Sequence, residues 1–165
     1  MKIAVIGYSG AGKSTLAQQL AVRHACPLLH LDAVHFAAHW VERPDDEAVQ
    51  DVLAVLDQPA WVIDGNYSAL ALERRMAEAD EIVFLDLPRR ICLFRCLKRY
   101  ISNRGKTRHS MAEGCHEKFD REFFLWIMRD GRSPARRKSF ERLAAQYPEK
   151  FRRLTTTGAV AKYLR

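Results

Sequence analysis

Gly7-Tyr8-Ser9-Gly10-Ala11-Gly12-Lys13-Ser14 follows the spacing G-x-x-x-x-G-K-[ST]. Each residue type in that spacing has a use against a chain of phosphates. Glycines let the backbone curl until successive N–H groups point inward at phosphate oxygens, and the N-terminus of the following helix adds a partial positive charge. Lys13 would then reach the β- and γ-phosphates of ATP, and Ser14 would give an oxygen to Mg²⁺. Gly7, Ser9, Gly10, Ala11, Gly12 and Thr15 complete the expected ATP contact. A glycine-rich turn without a ligand explains the glycines but not the lysine, whose burial there would be costly without an anion.

Phosphoryl transfer also needs a carboxylate near the metal and another to orient or deprotonate the acceptor hydroxyl. Asp32, Asp64 and Asp86 each fall at the end of a predicted strand. Asp64, after the apolar run Trp61-Val62-Ile63 and before Gly65, is assigned to the metal side with Ser14. Asp32 is assigned to the acceptor side as a catalytic residue, because Phe36 and Trp40 follow it and could wall a pocket. Asn66, Tyr67 and Arg75 are expected to join Trp40 there. Asp86 is read as a turn or cap residue.

Cations are expected to meet the transferring phosphoryl group. Arg95 and Arg99 stand four residues apart on one helical face, where like charges repel unless an anion lies between them. Arg104, Lys106 and Arg108 occupy the glycine- and charge-rich stretch 104–114, the candidate mobile loop, whose closure could bring cations to the reaction and expel water. Arg132, Arg136 and Arg137 surround a predicted helix start, the wrong end for cations by the dipole argument, and so again point to an anion.

These residues require a scaffold of alternating strands and helices. Strands are predicted at 2–6, 28–31, 61–63 and 81–87, and helices from Lys13 to the stop at Pro27, from Pro44 to about Asp57, and around 70–78. Beyond Pro88 the pattern is helical over 89–103, 114–130 and 133–147, with Ser133-Pro134 as cap and first-turn proline. A fifth strand at 151–154 and a closing helix at 159–164 complete the reading. The rhythm predicts a parallel sheet covered on both faces, with ligands at the carboxyl ends of its strands. In the helix at 89–103, Ile91, Phe94, Leu97 and Ile101 form an apolar stripe, and Phe123, Phe124, Trp126 and Ile127 read most simply as core.

The chain has 165 residues, 48% hydrophobic and 28% charged, enough for one domain over 1–165 with its own core. The composition excludes collagen-like, disordered and disulfide-scaffold classes, and no apolar run approaches the roughly 20 residues of a membrane span. The start Met1 to Gly7 is too short for a signal peptide, which predicts a cytoplasmic protein with reduced cysteines. His30, His35 and His39 do not share a strand face, and Cys92, Cys96, Cys115 and His116 lack a CxxC pair; neither set is read as a metal site. The net charge of +7 is unevenly placed: six Lys/Arg face 13 Asp/Glu through Pro88, against 21 and seven beyond it. A basic half of that kind suits a polyanionic ligand or nucleic acid, so a nucleotide-regulated DNA-binding protein is the alternative to an enzyme.

GYSGAGKST, HLD at 30–32 with Trp40, WVIDGNYS at 61–68, FLDLPR at 84–89 and RGKTRHSMAEGCHEKFDREFFLWI at 104–127 together resemble bacterial proteins described as DNA topology modulation (FlaR-related) proteins. These are similar to the adenylate-kinase-like P-loop kinases. The resemblance implies a three-layer α/β/α fold, a five-stranded parallel sheet in order 2-3-1-4-5, and a helical lid, here about 100–133. It implies that Lys13, Ser14 and Asp64 hold phosphate and magnesium, that the arginines near 95–108 belong to the lid, and that Thr155 to Gly158, with Thr156, lies against adenine. Arg136 is grouped with the ATP contacts. Adenylate kinases carry an arginine in D-G-F-P-R; Asp64-Gly65-Asn66-Tyr67-Ser68 has none, so a phosphate anchor for a nucleoside monophosphate is missing. The expected function is a Mg²⁺- and ATP-dependent kinase acting on a small-molecule or nucleotide acceptor.

Overall fold

The computed structural model describes residues 1–102, 115 and 119–165. In chain order the elements are β1 (Lys2–Gly7), α1 (Lys13–His24), β2 (Leu28–His30), α2 (Leu31–His35), β3 (Phe36–Ala37), β4 (Val41–Glu42), α3 (Asp45–Leu56), β5 (Trp61–Asp64), α4 (Leu72–Glu78), β6 (Glu81–Leu85), α5 (Arg89–Ser102), α6 (Arg121–Met128), α7 (Pro134–Gln146), β7 (Phe151–Leu154) and α8 (Thr157–Tyr163). β2-β5-β1-β6-β7 form one five-stranded sheet. All its pairings are parallel. Taking the strands of this sheet alone in chain order gives 2-3-1-4-5, the expected order, in an α/β fold with helices on both faces of a parallel sheet.

Alternation along β1 divides the core. Ala4 and Ile6 point to a cluster containing Val34 of α2, Val52 and Leu56 of α3, Met76 of α4 and Phe140 of α7. Ile3 and Val5 point the other way, to Leu16 and Leu20 of α1, Cys92 and Cys96 of α5 and Ile127 of α6. Both faces of the central strand are therefore dry, which is why it reads as a continuous apolar run. Among the described residues, no helix is long and apolar enough to cross a membrane.

The structure departs from the sequence reading in three places. Between β2 and α3 the chain forms α2 and a small antiparallel hairpin, Phe36 against Glu42 and Ala37 against Val41. Helix α6 begins at Arg121, where the Asp120 carboxylate accepts the Phe123 N–H at 2.8 Å, rather than at 114. In α5 most of the expected stripe faces outward, with Phe94 and Ile101 each 67% exposed; Ile91 packs against the core, and Cys92 and Cys96 are buried. The cause is a close approach. A Cβ on Gly10 would lie 2.4 Å from the Cys92 carbonyl oxygen and 2.6 Å from Cys96 Sγ, so this face must carry small side chains to lie on the glycine loop.

That packing makes a prediction. Gly10 has φ +78°, a conformation costly for a residue with a Cβ, and the space is already filled. Gly10→Ala is expected to lower Tm by at least about 5 °C. A thermal scan matching the wild type would show that α5 is not seated on this loop.

Candidate functional site

The carboxyl ends of β1, β2 and β5 open into a cavity of about 1960 Å³. Its wall includes Ser9 to Thr15, His30, Asp32, Trp40, Asn66, Tyr67, Arg95, Arg99 and Arg136. At one end the glycine loop leads into α1. Gly12 stands before the helix in a left-handed conformation (φ 95°, ψ 24°), and no side chain caps it. The first-turn amides of α1 have no intrahelical carbonyl to donate to, so an anion is their natural partner.

Gly7 serves this loop from behind. Its N–H donates to Asn66 Oδ1 at 3.0 Å and its carbonyl accepts from Asn66 Nδ2 at 2.7 Å, which ties the end of β1 to the segment after β5. A Cβ on Gly7 would lie 2.6 Å from the Leu85 carbonyl oxygen, so glycine is required for packing against β6. Among the described residues, Lys13 Nζ makes only a long contact, 3.4 Å, with the Tyr8 carbonyl.

Ser14 and Asp64 meet: Ser14 Oγ donates to Asp64 Oδ2 at 3.0 Å. The other carboxylate oxygen of Asp64 pairs with His30 Nδ1. Asp64 is buried, and this pair of contacts fixes its orientation. His30, read from sequence only as a rejected metal ligand, is thus a partner of the metal-side carboxylate. A hydroxyl and a carboxylate side by side next to a phosphate cradle fit Mg²⁺, which takes few protein oxygens and keeps several waters.

On the wall of the same cavity Asp32 accepts a hydrogen bond from the Tyr67 hydroxyl at 2.9 Å. Burial first, then the Asp32 charge, raises the Tyr67 pKa far above its ordinary value, so the phenol remains a donor. Tyr67, His35, Phe36 and Trp40 form a run of neighbouring rings. Trp40 is held at φ +63° in the hairpin turn, and its N–H donates to Cys115 Sγ at 3.3 Å. The Cys115 thiol in turn donates to the Ala37 carbonyl at 3.3 Å.

Of the expected cations, Arg95 lies on the glycine loop, donating to the Ala11 carbonyl at 2.8 Å. Arg99, one turn on, lines the same cavity. Arg136 stacks its guanidinium 4.4 Å from the centre of the Trp126 ring, and Trp126 Nε1 donates to Ser9 Oγ at 3.1 Å. Trp126, expected in the core, is therefore a cavity residue. Arg104, Lys106 and Arg108 lie outside the described residues, as does much of the expected lid.

Two assignments need correction. Thr156 does not line the cavity; its hydroxyl caps α8 by accepting the Ala159 N–H at 3.0 Å, and Val160 of that helix reaches the wall instead. Arg75 does not line the acceptor pocket. It is 0% exposed, and its guanidinium donates to the carbonyls of Leu70, Gly65 and Tyr67. Burial pulls its pKa down to about 10. Arg75 is a strut that holds the backbone on which Asn66 and Tyr67 stand. Arg75→Leu would strip donors from three carbonyls and is expected to cost about 2 kcal/mol or more in urea unfolding; an unchanged midpoint would refute that role.

The model of the AAA domain family AAA_33 matches residues 3–64, from β1 through the end of β5. No curated protein matches the chain. Among solved structures, a gluconokinase from Sinorhizobium meliloti 1021 superposes with a TM-score of 0.52 at 16% identity, covering 99% of this chain and 87% of that one. A shikimate kinase from Bacteroides thetaiotaomicron superposes with a TM-score of 0.53 at 17% identity, covering 99% and 94%. At these identities the likeness is one of fold.

Proposed function

We propose that this chain is an ATP- and Mg²⁺-dependent phosphotransferase that moves the γ-phosphoryl group of ATP onto the hydroxyl of a small molecule. The observation that carries the reading is the contact of Ser14 with Asp64, 3.0 Å, with Lys13, Ser14 and Asp32 lining one cavity. The glycine loop, Lys13 and the first turn of α1 bind the β- and γ-phosphates. Ser14 and Asp64 hold Mg²⁺, which neutralises charge on the phosphate oxygens when bound. Asp32, oriented by Tyr67, accepts the proton of the attacking hydroxyl. Arg95 and Arg99, which line the same cavity, would meet charge on the transferring group. The kinase fold of the two solved structures supports the reading, and their named activities suggest acceptors bearing hydroxyls.

In this reading Arg95, Arg99 and Arg136 of the basic half serve the cavity. The test is calorimetric titration with ATP, with and without Mg²⁺, followed by a screen of nucleoside monophosphates, nucleosides and hydroxy acids for acceleration of ADP release. One Mg²⁺-dependent ATP site per chain, with ADP release raised by an acceptor, is expected. Absence of ATP binding would remove the reading.

A further inference from the structure

Arg132 and Arg137, two of the three arginines expected to meet an anion near the start of α7, do not line the large cavity. They line a second one of about 350 Å³ with Tyr8, Asp86, Arg89, Glu141 and Arg153, and no described residue belongs to both walls. Direct contacts tie this wall together. Asp86 lies between two guanidiniums, 3.9 Å from Arg132 Nη1 and 3.3 Å from Arg153 Nε, and Arg153 also pairs with Glu141. The Arg132 guanidinium lies 3.7 Å from the centre of the Tyr8 ring, and the Arg132 carbonyl accepts from Arg137 Nε at 2.9 Å.

Positive charge is in excess here. On the described wall four arginines meet two carboxylates, a surplus of two. Arg89 makes no hydrogen bond or ion pair among the described residues. Arg132 is 9% exposed, and its buried Nε finds no acceptor among them. Such a donor is costly to leave unpaired. Two helix starts add to the excess: Arg89 opens α5, Arg137 stands in the first turn of α7, and neither first turn holds an acid. Cations at the positive end of a helix are unfavourable unless an anion joins them.

A surplus of two charges calls for a dianion. Guanidinium forks suit phosphate oxygens, which accept from several directions at once, and a phosphomonoester carries close to two negative charges at neutral pH. We propose that this second cavity binds a phosphate dianion, either inorganic phosphate or the terminal phosphate of a small phosphomonoester, while the glycine loop holds ATP. Arg89 and Arg137 bind its oxygens, and Asp86 keeps Arg132 and Arg153 in place. The site stands whether or not the chain transfers phosphoryl groups.

Calorimetric titration of the full chain with inorganic phosphate tests this, in saturating Mg²⁺ and a non-hydrolysable ATP analogue that fill the glycine loop. It is repeated without nucleotide on Lys13→Ala, which weakens phosphate binding by that loop. One phosphate per chain with Kd of about 1 mM or below is expected in both. Arg89→Gln, which removes no described hydrogen bond or ion pair, is expected to weaken binding about fivefold or more, and Arg89→Gln with Arg137→Gln about twentyfold or more, with thermal scans matching the wild type. Methyl phosphate and glucose 6-phosphate separate the two sources: tighter binding than inorganic phosphate identifies a phosphomonoester, weaker binding the free ion. Succinate is expected to bind at least about tenfold more weakly than phosphate. The proposal is overturned if the nucleotide analogue excludes phosphate, if the double variant binds it as the wild type does, if succinate matches it, or if affinity for duplex DNA falls in the variants while phosphate affinity does not.

Discussion

Lys13→Ala is expected to reduce ATP turnover by about 10²–10³ at saturating Mg²⁺, the loss seen when one preorganised donor to a charged transition state is removed. The fold should survive the change, because among the described residues Lys13 Nζ makes a single long contact, with the Tyr8 carbonyl at 3.4 Å. The loop shape is held by other means: Asn66 on both polar groups of Gly7, Arg95 on the Ala11 carbonyl, and the close seat of α5 against Gly10. The measurement is kcat by coupled ADP detection, alongside a thermal scan of wild type and variant. Turnover within about tenfold of wild type, with matching Tm, would remove phosphate binding from this loop. Chelation of the metal is expected to abolish turnover in the wild type, through loss of the ion that Ser14 and Asp64 are proposed to hold.

Asp32→Asn is expected to lower acceptor-dependent phosphoryl transfer by about 10²–10⁴, the usual contribution of a positioned general base. Its effect should separate from that of Lys13→Ala. Asparagine keeps an oxygen that can accept from the Tyr67 hydroxyl, now at 2.9 Å from Asp32 Oδ1, so the pocket wall should stand. Asp32 lies apart from the glycine loop, so ATP affinity should be retained. Single-turnover transfer with the best acceptor from the ADP-release screen decides the matter. Transfer within about fivefold of wild type would make Asp32 a wall residue and not a proton acceptor.

The parts of this molecule legible in the sequence are those set by local chemistry. The glycine loop could be read because its spacing and its place between strand and helix are both local. The sheet could be read because strands buried on both faces are continuous apolar runs separated by helical periodicity. The hairpin at residues 36–42 was not legible: its turn puts His39 and Trp40 at φ 62° and 63°, with none of the Asn-Gly or Gly-rich signals that announce such turns. Arg75 shows a different limit. Residue type suggests an anion ligand, but its donors are consumed by three carbonyls, a fact settled only by tertiary packing. The pairing of His30 with Asp64 crosses between neighbouring strands, and the donation from Trp126 to Ser9 spans 117 residues. Neither distance has a sequence signature. Helix α5 limits a periodicity argument: Phe94, Leu97 and Ile101 of its apolar stripe are exposed because contact with the glycine loop demands the cysteine face.

The order of strands in the sheet also bears on how the chain comes to be folded. β1 lies at the centre, yet its partners are β5, beginning at Trp61, and β6, beginning at Glu81. The N-terminal strand therefore has no partner strand in the sheet until about two-fifths of the polypeptide has left the ribosome. Pairings of such wide sequence separation slow the search for the native state and leave an apolar, unpaired ribbon open to wrong partners meanwhile. A nascent chain stalled before residue 61 is expected to be protease-sensitive throughout, while one released past Leu154 should gain protection in a single concerted step.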